Sequence, residues 1–147
     1  MIFISHRGNL KGPNPSDENK LDYIMNALNE NFEVEIDLWY KKNKFYLGHD
    51  EPLFEINFDF LEKKNLWIHT KNLDCFYELS KYNLNYFWHE KDKVVLTSKG
   101  FVWNYPGTIL SEKSICVLPE NNDYENLNCL GICSDFIKDY YDRYNNI

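Results

Sequence analysis

Short apolar runs recur along the chain, separated by polar segments rich in Asn, Asp, Lys and Glu. Most runs are a few residues long and are built from Ile, Val, Phe, Tyr and Trp, the residues that strands favour. The pattern predicts strands at IFIS (2–5), FEVEIDLWY (32–40), FYLGH (45–49), LWIHT (66–70), YFW (86–88), VVLT (94–97), FVWNY (101–105), SICVL (114–118) and LGICS (130–134).

Helical periodicity fills several of the gaps between these runs. The segment 17–31 carries its apolar residues on one face, and it begins with Asp17 and Glu18, acidic residues that favour a helix N-terminus. Three further helices are predicted, at 56–65, 74–83 and 134–146.

The alternation of strands and helices predicts a parallel sheet with helical crossovers. Several runs are almost continuously apolar, as expected for strands that are buried on both faces. The second half of the chain is spaced too tightly for this pattern throughout, because only HEKDK (89–93) and SKG (98–100) separate three consecutive strands. A parallel crossover needs a dozen or more residues, so at least one of these links is expected to be a hairpin or an irregular crossing.

Length and charge limit the classes of partner. The 147 residues are expected to form one domain, 1–147. A net charge of −7 argues against binding to nucleic acid or to an anionic membrane, although a local cluster of Arg and Lys can still hold a small anion. Because the chain has no secretory or membrane-spanning apolar run, we expect a cytoplasmic protein with reduced cysteines. The sequence leaves its oligomeric state open.

Ionisable residues end three of the predicted strands. Glu35 and Asp37 stand two apart on the second strand, so both carboxylates lie on one face. Two acids among apolar residues are costly unless a cation meets them, and a hard divalent ion suits oxygen ligands. A solvated edge strand or a pair of ion pairs is the alternative explanation. His49 follows the next strand, and His69 and Lys71 end a third. Ligand sites of parallel sheets lie beyond the carboxyl ends of the strands, so these side chains are expected to converge.

Five short motifs occur in order along the chain: ISHRGN (4–9), DEN (17–19), EVEID (33–37), GHD (48–50) and IHTK (68–71). In this combination the sequence resembles the glycerophosphodiester phosphodiesterase family, within the phosphatidylinositol-phospholipase-C-like superfamily. That family carries HRG after its first strand, E-N-T on the first helix, E-x-D on the second strand, H-D after a hairpin and E-x-K on the third strand. Two later segments also resemble the family's last strands, FVWNY (101–105) and GICSD (131–135).

The resemblance implies a fold and a reaction. The fold is a (β/α)8 TIM-type barrel, mostly parallel, which this short chain would build with several crossover helices shortened or missing, since a full barrel takes about 250 residues. The reaction is the metal-dependent hydrolysis of a phosphodiester that has a neighbouring hydroxyl, the activity of a phosphoric diester hydrolase. The substrate is expected to be a small-molecule, lipid-linked or glycan-linked phosphodiester.

The family motifs also imply the roles of individual residues. His6 and His49 would be the general acid and base, which the sequence does not distinguish. Arg7 would bind the phosphate, and Lys71 would contact it and stabilise its developing charge. Arg pairs with phosphate in a bidentate fork, and histidines titrate near neutrality, so both roles suit the residues.

The implied metal site uses Glu35 and Asp37 to hold one divalent ion. Mg²⁺ or Ca²⁺ is expected, with Mn²⁺ as the alternative. The chain departs from the family at the third-strand acid, which is His69 here. His69 would bind a softer divalent ion, or Glu90 or Glu120 would supply the lost carboxylate.

Two further features leave alternatives open. The insertion that caps the glycerol side in the family is absent, so an open site would take a larger substrate or be completed by a partner. The polar segment 88–100 is either a loop at the mouth of the site, bringing in Glu90 or Lys99, or a pair of solvated turns. The competing functions are a non-catalytic phosphate-binding relative, a cyclising lyase and a phosphomonoesterase.

Overall fold

A computed structural model describes residues 1–124 and 126–146 as one ten-stranded sheet with four short α-helices. The strands are β1 (Ile2–His6), β2 (Glu33–Lys41), β3 (Lys44–Leu47), β4 (Phe54–Ile56), β5 (Leu66–Thr70), β6 (Tyr86–Phe87), β7 (Val94–Leu96), β8 (Val102–Asn104), β9 (Ser114–Val117) and β10 (Gly131–Ser134). The helices are α1 (Leu21–Asn29), α2 (Phe58–Leu61), α3 (Leu73–Leu79) and α4 (Ile137–Asn145), and a 3₁₀ turn at Pro119–Asn121 follows β9. All the predicted apolar runs contain strands, and β4 lies in a segment where no strand was predicted.

The sheet is mixed. Its continuous path runs β4-β3-β2-β1-β10-β9-β8-β7, and β5 pairs with β2 and then with β6 outside that path. The pairs at the centre, β5 to β2, β2 to β1, β1 to β10, β10 to β9 and β9 to β8, are parallel. Those at the two ends of the path, β2 to β3, β3 to β4 and β7 to β8, are antiparallel.

The prediction of a mostly parallel, reduced (β/α)8 TIM-type barrel is wrong. The sheet curls into a half-barrel, and its helices are few and short, about 22% of the chain. The physical reason is the length of the links. Three residues between predicted strands at 98–100 allow only the antiparallel turn seen between β7 and β8. Lys42 and Asn43, with φ of 51° and 60°, form the tight hairpin turn that sends β3 back along β2.

The helices are also shorter than predicted. The first begins at Leu21 rather than near Asp17, because Asn19 takes a left-handed conformation with φ of 62° and ends the preceding turn. The predicted helix at 56–65 contracts to Phe58–Leu61. In residues 1–124 and 126–146, no helix is long and apolar enough to cross a membrane.

The two faces of β2 contribute to different environments. Val34, Ile36 and Leu38 are fully buried and pack with α1 and α3 in the largest apolar cluster. The alternate residues of β2, which include Glu35 and Asp37, point to the concave side of the curl. A second cluster fills that side, built around Ile4, Trp67, Phe87, Trp103, Ile115, Val117 and Cys133. The two carboxylates therefore lie next to apolar side chains, where water does not solvate their negative charge.

Candidate functional site

Strand register places four of the predicted site residues side by side at the carboxyl ends of β1, β2 and β5. His6 on β1 is the register partner of Glu35 on β2. Asp37, two residues further along β2, is the partner of His69 on β5. Because these three strands are parallel, their carboxyl ends meet at the same edge of the sheet. His6, Glu35 and His69 line one cavity there, and Asp37 is fully buried beside them.

Glu35, Asp37 and His69 form a buried cluster suited to a metal ion. Each offers one ligand atom, and these atoms all lie within 4.8 Å of one another. The residues are only 3%, 0% and 7% exposed. Glu35 Oε2 and Asp37 Oδ1 are buried and have no hydrogen-bond partner within the described part of the chain. Unpaired buried carboxylate oxygens are rare because desolvation is costly, so the donor set fits a bound cation.

The second oxygen of Asp37 is held by the protein. Asp37 Oδ2 accepts a hydrogen bond from Asn19 Nδ2 at 2.9 Å and lies 2.9 Å from Arg7 Nε. Asp37 Oδ1 faces the other way, 3.1 Å from His69 Nδ1 and 3.5 Å from Lys71 Nζ. Burial acts to raise the pKa of Asp37, but His69, Arg7 and Lys71 outweigh it and hold that pKa well below its usual range. Asp37 is therefore an ionised group with one anchored and one available oxygen.

The negative charge of Glu35 is balanced less well by neighbouring positive charges than that of Asp37. Its pKa is raised first by burial and then by the negative charge of Asp37, against weaker opposing effects of His6 and Arg7. A carboxyl group in this situation gains most from a nearby positive charge. A divalent cation between Glu35 and Asp37 would supply it.

The backbone of the HRG motif is tightly constrained. Arg7 has a φ of 56° and Gly8 a φ of 93°, so the chain turns left-handed directly after β1. A Cβ atom on Gly8 would lie 2.6 Å from Cδ1 of Tyr23, which explains the glycine. The Arg7 N–H donates to Glu35 O at 3.0 Å, and the Arg7 carbonyl accepts from Asn19 N at 3.1 Å. Such strain in a non-glycine residue is typical of functional sites.

His6 is oriented by a residue from the far end of the chain. Its Nδ1 lies 2.7 Å from Asp135 Oδ1, and a carboxylate there makes Nδ1 the donor. Its Nε2 lies 3.9 Å from Glu35 Oε2. Burial acts to lower the pKa of His6, but the hydrogen bond to Asp135 and the charge of Glu35 outweigh it and raise that pKa above 6.5.

His49 reaches the same cavity from a different element. It follows β3 after Gly48, and its side chain is 43% exposed, with Nδ1 2.7 Å from Asp50 Oδ1. Burial lowers the pKa of His49, and the positive charge of Arg7 adds to this effect. His6 and His49 are therefore pushed in opposite directions, which is the situation of an acid and base pair.

The cavity above this cluster has two chemically different walls. Its volume is about 410 Å³. One wall is polar and carries the residues predicted from the motifs, His6, Arg7, Glu35, His49, His69 and Lys71. The rest of the lining is largely aromatic and apolar, with Trp88, Trp103, Tyr105, Val117 and Leu118, and also includes Thr70, His89 and Glu90. A phosphate fits the first wall by charge, and an organic group attached to it would meet the second.

The later candidates are placed differently. Glu90 lines the cavity but is exposed and lies outside the metal-type cluster found among the described residues. Glu120 is not a ligand, because its carboxylate accepts hydrogen bonds from Ser134 Oγ and from the Asp135 N–H. Lys99 is exposed, and it lies against Asn83 beside a different cavity.

The sequence reasoning did not assign roles to several residues around the site. Asn19 and Asp135 lie within DEN and GICSD, two segments that resemble family motifs. Their position in these segments could have marked them as site residues. His89 stacks on His69 with ring centres 4.3 Å apart, and its Nε2 is hydrogen-bonded to the Tyr105 hydroxyl. Burial, His69 and Lys71 lower the pKa of His89 to about 4. No local pattern marks this stacking, because it depends on contacts between distant strands.

Comparison with known proteins gives no evidence on the family beyond these motifs. No family model, curated protein or solved structure matches the chain. The resemblance to the glycerophosphodiester phosphodiesterase family therefore rests on the short motifs at the carboxyl ends of β1, β2 and β5 and after β3.

Proposed function

We propose that this protein is a metal-dependent phosphodiesterase that uses His6 and His49 as its acid and base. The observation that carries the proposal is the composition of one cavity wall. Two histidines and two basic side chains line the same 410 Å³ cavity as Glu35, and Asp37 contacts this lining, with its Oδ1 3.5 Å from Lys71 Nζ. Both carboxylates are buried, and each has one oxygen without a hydrogen-bond partner among the described residues. Phosphodiester cleavage needs these three kinds of group together, and a site that only binds phosphate has no use for the acid and base.

Glu35, Asp37 and His69 would hold the divalent ion. When bound, the ion withdraws charge from the phosphoryl oxygens and so stabilises the transition state. Lys71 borders the cavity beside Asp37 and adds positive charge where the phosphoryl group gains negative charge. Arg7 is tied to Asp37 by Nε and to Glu18 by Nη1 at 3.3 Å, so its guanidinium is pre-oriented at the cavity wall.

His6 and His49 supply the proton transfers. Because Asp135 fixes the Nδ1 proton of His6, Nε2 is the atom left to exchange a proton with substrate. One histidine takes the proton of the substrate's neighbouring hydroxyl as it attacks phosphorus, and the other gives a proton to the leaving alcohol, which leaves a cyclic phosphate. Water then opens the cyclic phosphate, with the two histidines exchanging roles, to give the monoester. The aromatic wall accommodates the alcohol portion of the substrate, which supports a lipid-linked or glycan-linked diester as well as a small glycerophosphodiester.

The test is hydrolysis of authentic glycerophosphodiesters and of glycerol p-nitrophenyl phosphate, which keeps the neighbouring hydroxyl, by purified protein with added divalent ions. His6→Gln and His49→Gln should each lower kcat by about 100-fold or more on the authentic diester. Lys71→Gln should also lower kcat, whereas Lys99→Gln is the matched control, because Lys99 lies beside a different cavity. Exhaustive chelation should remove the activity.

The product and the mutant pattern separate the competing functions. A p-nitrophenyl leaving group should rescue only the variant that lost the general acid, and the rescue assigns the two histidine roles. Phosphorus NMR distinguishes a cyclic phosphate from an open monoester. Phosphate binding without turnover of any ester would contradict the proposal and favour the non-catalytic relative.

A further inference from the structure

We propose that the Glu35, Asp37 and His69 cluster is a mixed oxygen and nitrogen site that takes a borderline first-row ion, such as Fe²⁺, Co²⁺ or Zn²⁺, with His69 as a direct ligand. This inference rests on the metal-dependent function proposed above and concerns the identity of the ion. It differs from the Mg²⁺ or Ca²⁺ that the family resemblance implies.

The cluster contains few oxygen donors. Ca²⁺ takes about six to eight oxygen ligands, so two carboxylates are few for it. Mg²⁺ commonly binds through one or two carboxylates and retained water, so it is the histidine, and not the number of carboxylates, that distinguishes this site from a Mg²⁺ site. Only two carboxylates belong to the cluster found in residues 1–124 and 126–146. The acids that could have replaced the missing one do not, because Glu90 is exposed at the cavity rim and Glu120 is bonded to Ser134 and to the Asp135 N–H. Nitrogen is therefore the third donor.

The His69 ring directs a nitrogen towards both carboxylates. Its Nδ1 lies 3.1 Å from Asp37 Oδ1 and 3.9 Å from Glu35 Oε1. Although Asp37 Oδ1 is that close, it has no hydrogen-bond partner within the described residues. His69 Nδ1 and Lys71 Nζ lie 3.1 and 3.5 Å from this oxygen. His69 Nδ1 thus faces both carboxylates, as expected for ligands that converge on a third atom.

Stacked aromatic rings hold the His69 ring in place. His69 lies parallel to the rings of Phe87 and His89, at interplanar angles of 6° and 11°. His89 is in turn hydrogen-bonded to the Tyr105 hydroxyl. Ligand rings that are held by surrounding residues lose less entropy on metal binding, and imidazole favours the later first-row ions over Mg²⁺ and Ca²⁺.

The experiment measures binding of Co²⁺, Zn²⁺, Mg²⁺ and Ca²⁺ to chelator-treated full-length protein by calorimetry, under reducing conditions. The wild type is compared with His69→Gln, His69→Glu and the control His49→Gln, since His49 also borders the cavity but lies outside the cluster. Loss of the nitrogen should weaken Co²⁺ and Zn²⁺ binding by at least about tenfold relative to Mg²⁺, the lower end of the effects seen even for outer-sphere partners. The control should keep the wild-type order.

A second readout needs no variant. The Co²⁺-loaded wild type should show a paramagnetically shifted imidazole signal from one histidine and no thiolate charge-transfer band. A signal from no histidine, or an unchanged affinity ratio in both folded His69 variants, would overturn the inference while leaving metal-dependent cleavage intact. Failure of every ion to bind would instead overturn the proposed function.

Discussion

Asp135→Asn tests how the fold sets the protonation of His6. The substitution keeps the size of the side chain but removes the charge that accepts the His6 Nδ1 proton at 2.7 Å. A hydrogen bond to a charged group contributes about 1.5–3 kcal/mol. Because this free energy favours the protonated imidazole, we expect the pKa of His6 to fall in the variant.

The same change alters the pH dependence of stability. The folded-state pKa of His6 is raised above its unfolded value of 6.5, so this histidine stabilises the fold below about pH 6.5. That contribution is lost as the pH rises through the folded pKa. We therefore expect Asp135→Asn to lower the free energy of unfolding more near pH 6 than near pH 9.

The assay is a proton NMR titration of metal-free protein, with the four histidines assigned from single His→Gln variants. Urea unfolding at about pH 6 and about pH 9 supplies the stability arm. Asp139→Asn is the control, because it removes the same charge from an exposed position in the first turn of α4. A His6 pKa in Asp135→Asn equal to or above that of wild type would refute the reasoning.

Three shorter predictions follow from the structure. Gly48→Ala should lower the free energy of unfolding, measured in urea, by about 2 kcal/mol or more, because φ is 149° and the new Cβ would lie 2.1 Å from Glu51 O. Gly100→Ala is the control and should lower that free energy less, because its new Cβ would meet nothing within 4 Å. The pKa of His89 is lowered to about 4, chiefly by burial, so the unfolded state binds its proton first as the pH falls below 6.5. Wild type should therefore lose about 1–3 kcal/mol more than His89→Gln between about pH 7 and pH 4, allowing for partial exposure; equal losses would contradict the buried neutral histidine. The Cys133 thiol is fully buried with a raised pKa, so an aromatic disulfide reagent should label it only after unfolding.

Local sequence pattern was sufficient for features that depend on neighbouring residues. The apolar runs located every strand except β4, and LWIHT (66–70) coincides with β5. The two-residue period of β2 put Glu35 and Asp37 on the face opposite Val34 and Ile36, and the structure has that arrangement. These features follow from the geometry of a single strand, which any sequence window contains.

The architecture could not be obtained in the same way. Apolar runs look alike whether a strand pairs in parallel or antiparallel, so the family resemblance suggested a barrel where the chain forms a curled mixed sheet. The direction of β3 and β8 relative to their neighbours is set by the tight links before them. Those links signal a hairpin, but they do not show which strand the next one joins.

The same distinction between local sequence pattern and tertiary contacts applies to the candidate site. The sequence by itself determined which residue types end β1, β2 and β5, because each ionisable group follows directly from an apolar run. Only the tertiary structure decided that Asp135 orients His6 across 129 residues of chain, and that His69 rather than Glu90 or Glu120 completes the cluster. Both outcomes depend on strand register and on the curl of the sheet, which bring residues distant in sequence into contact. A short segment of sequence does not contain the interactions between strands that decide this arrangement.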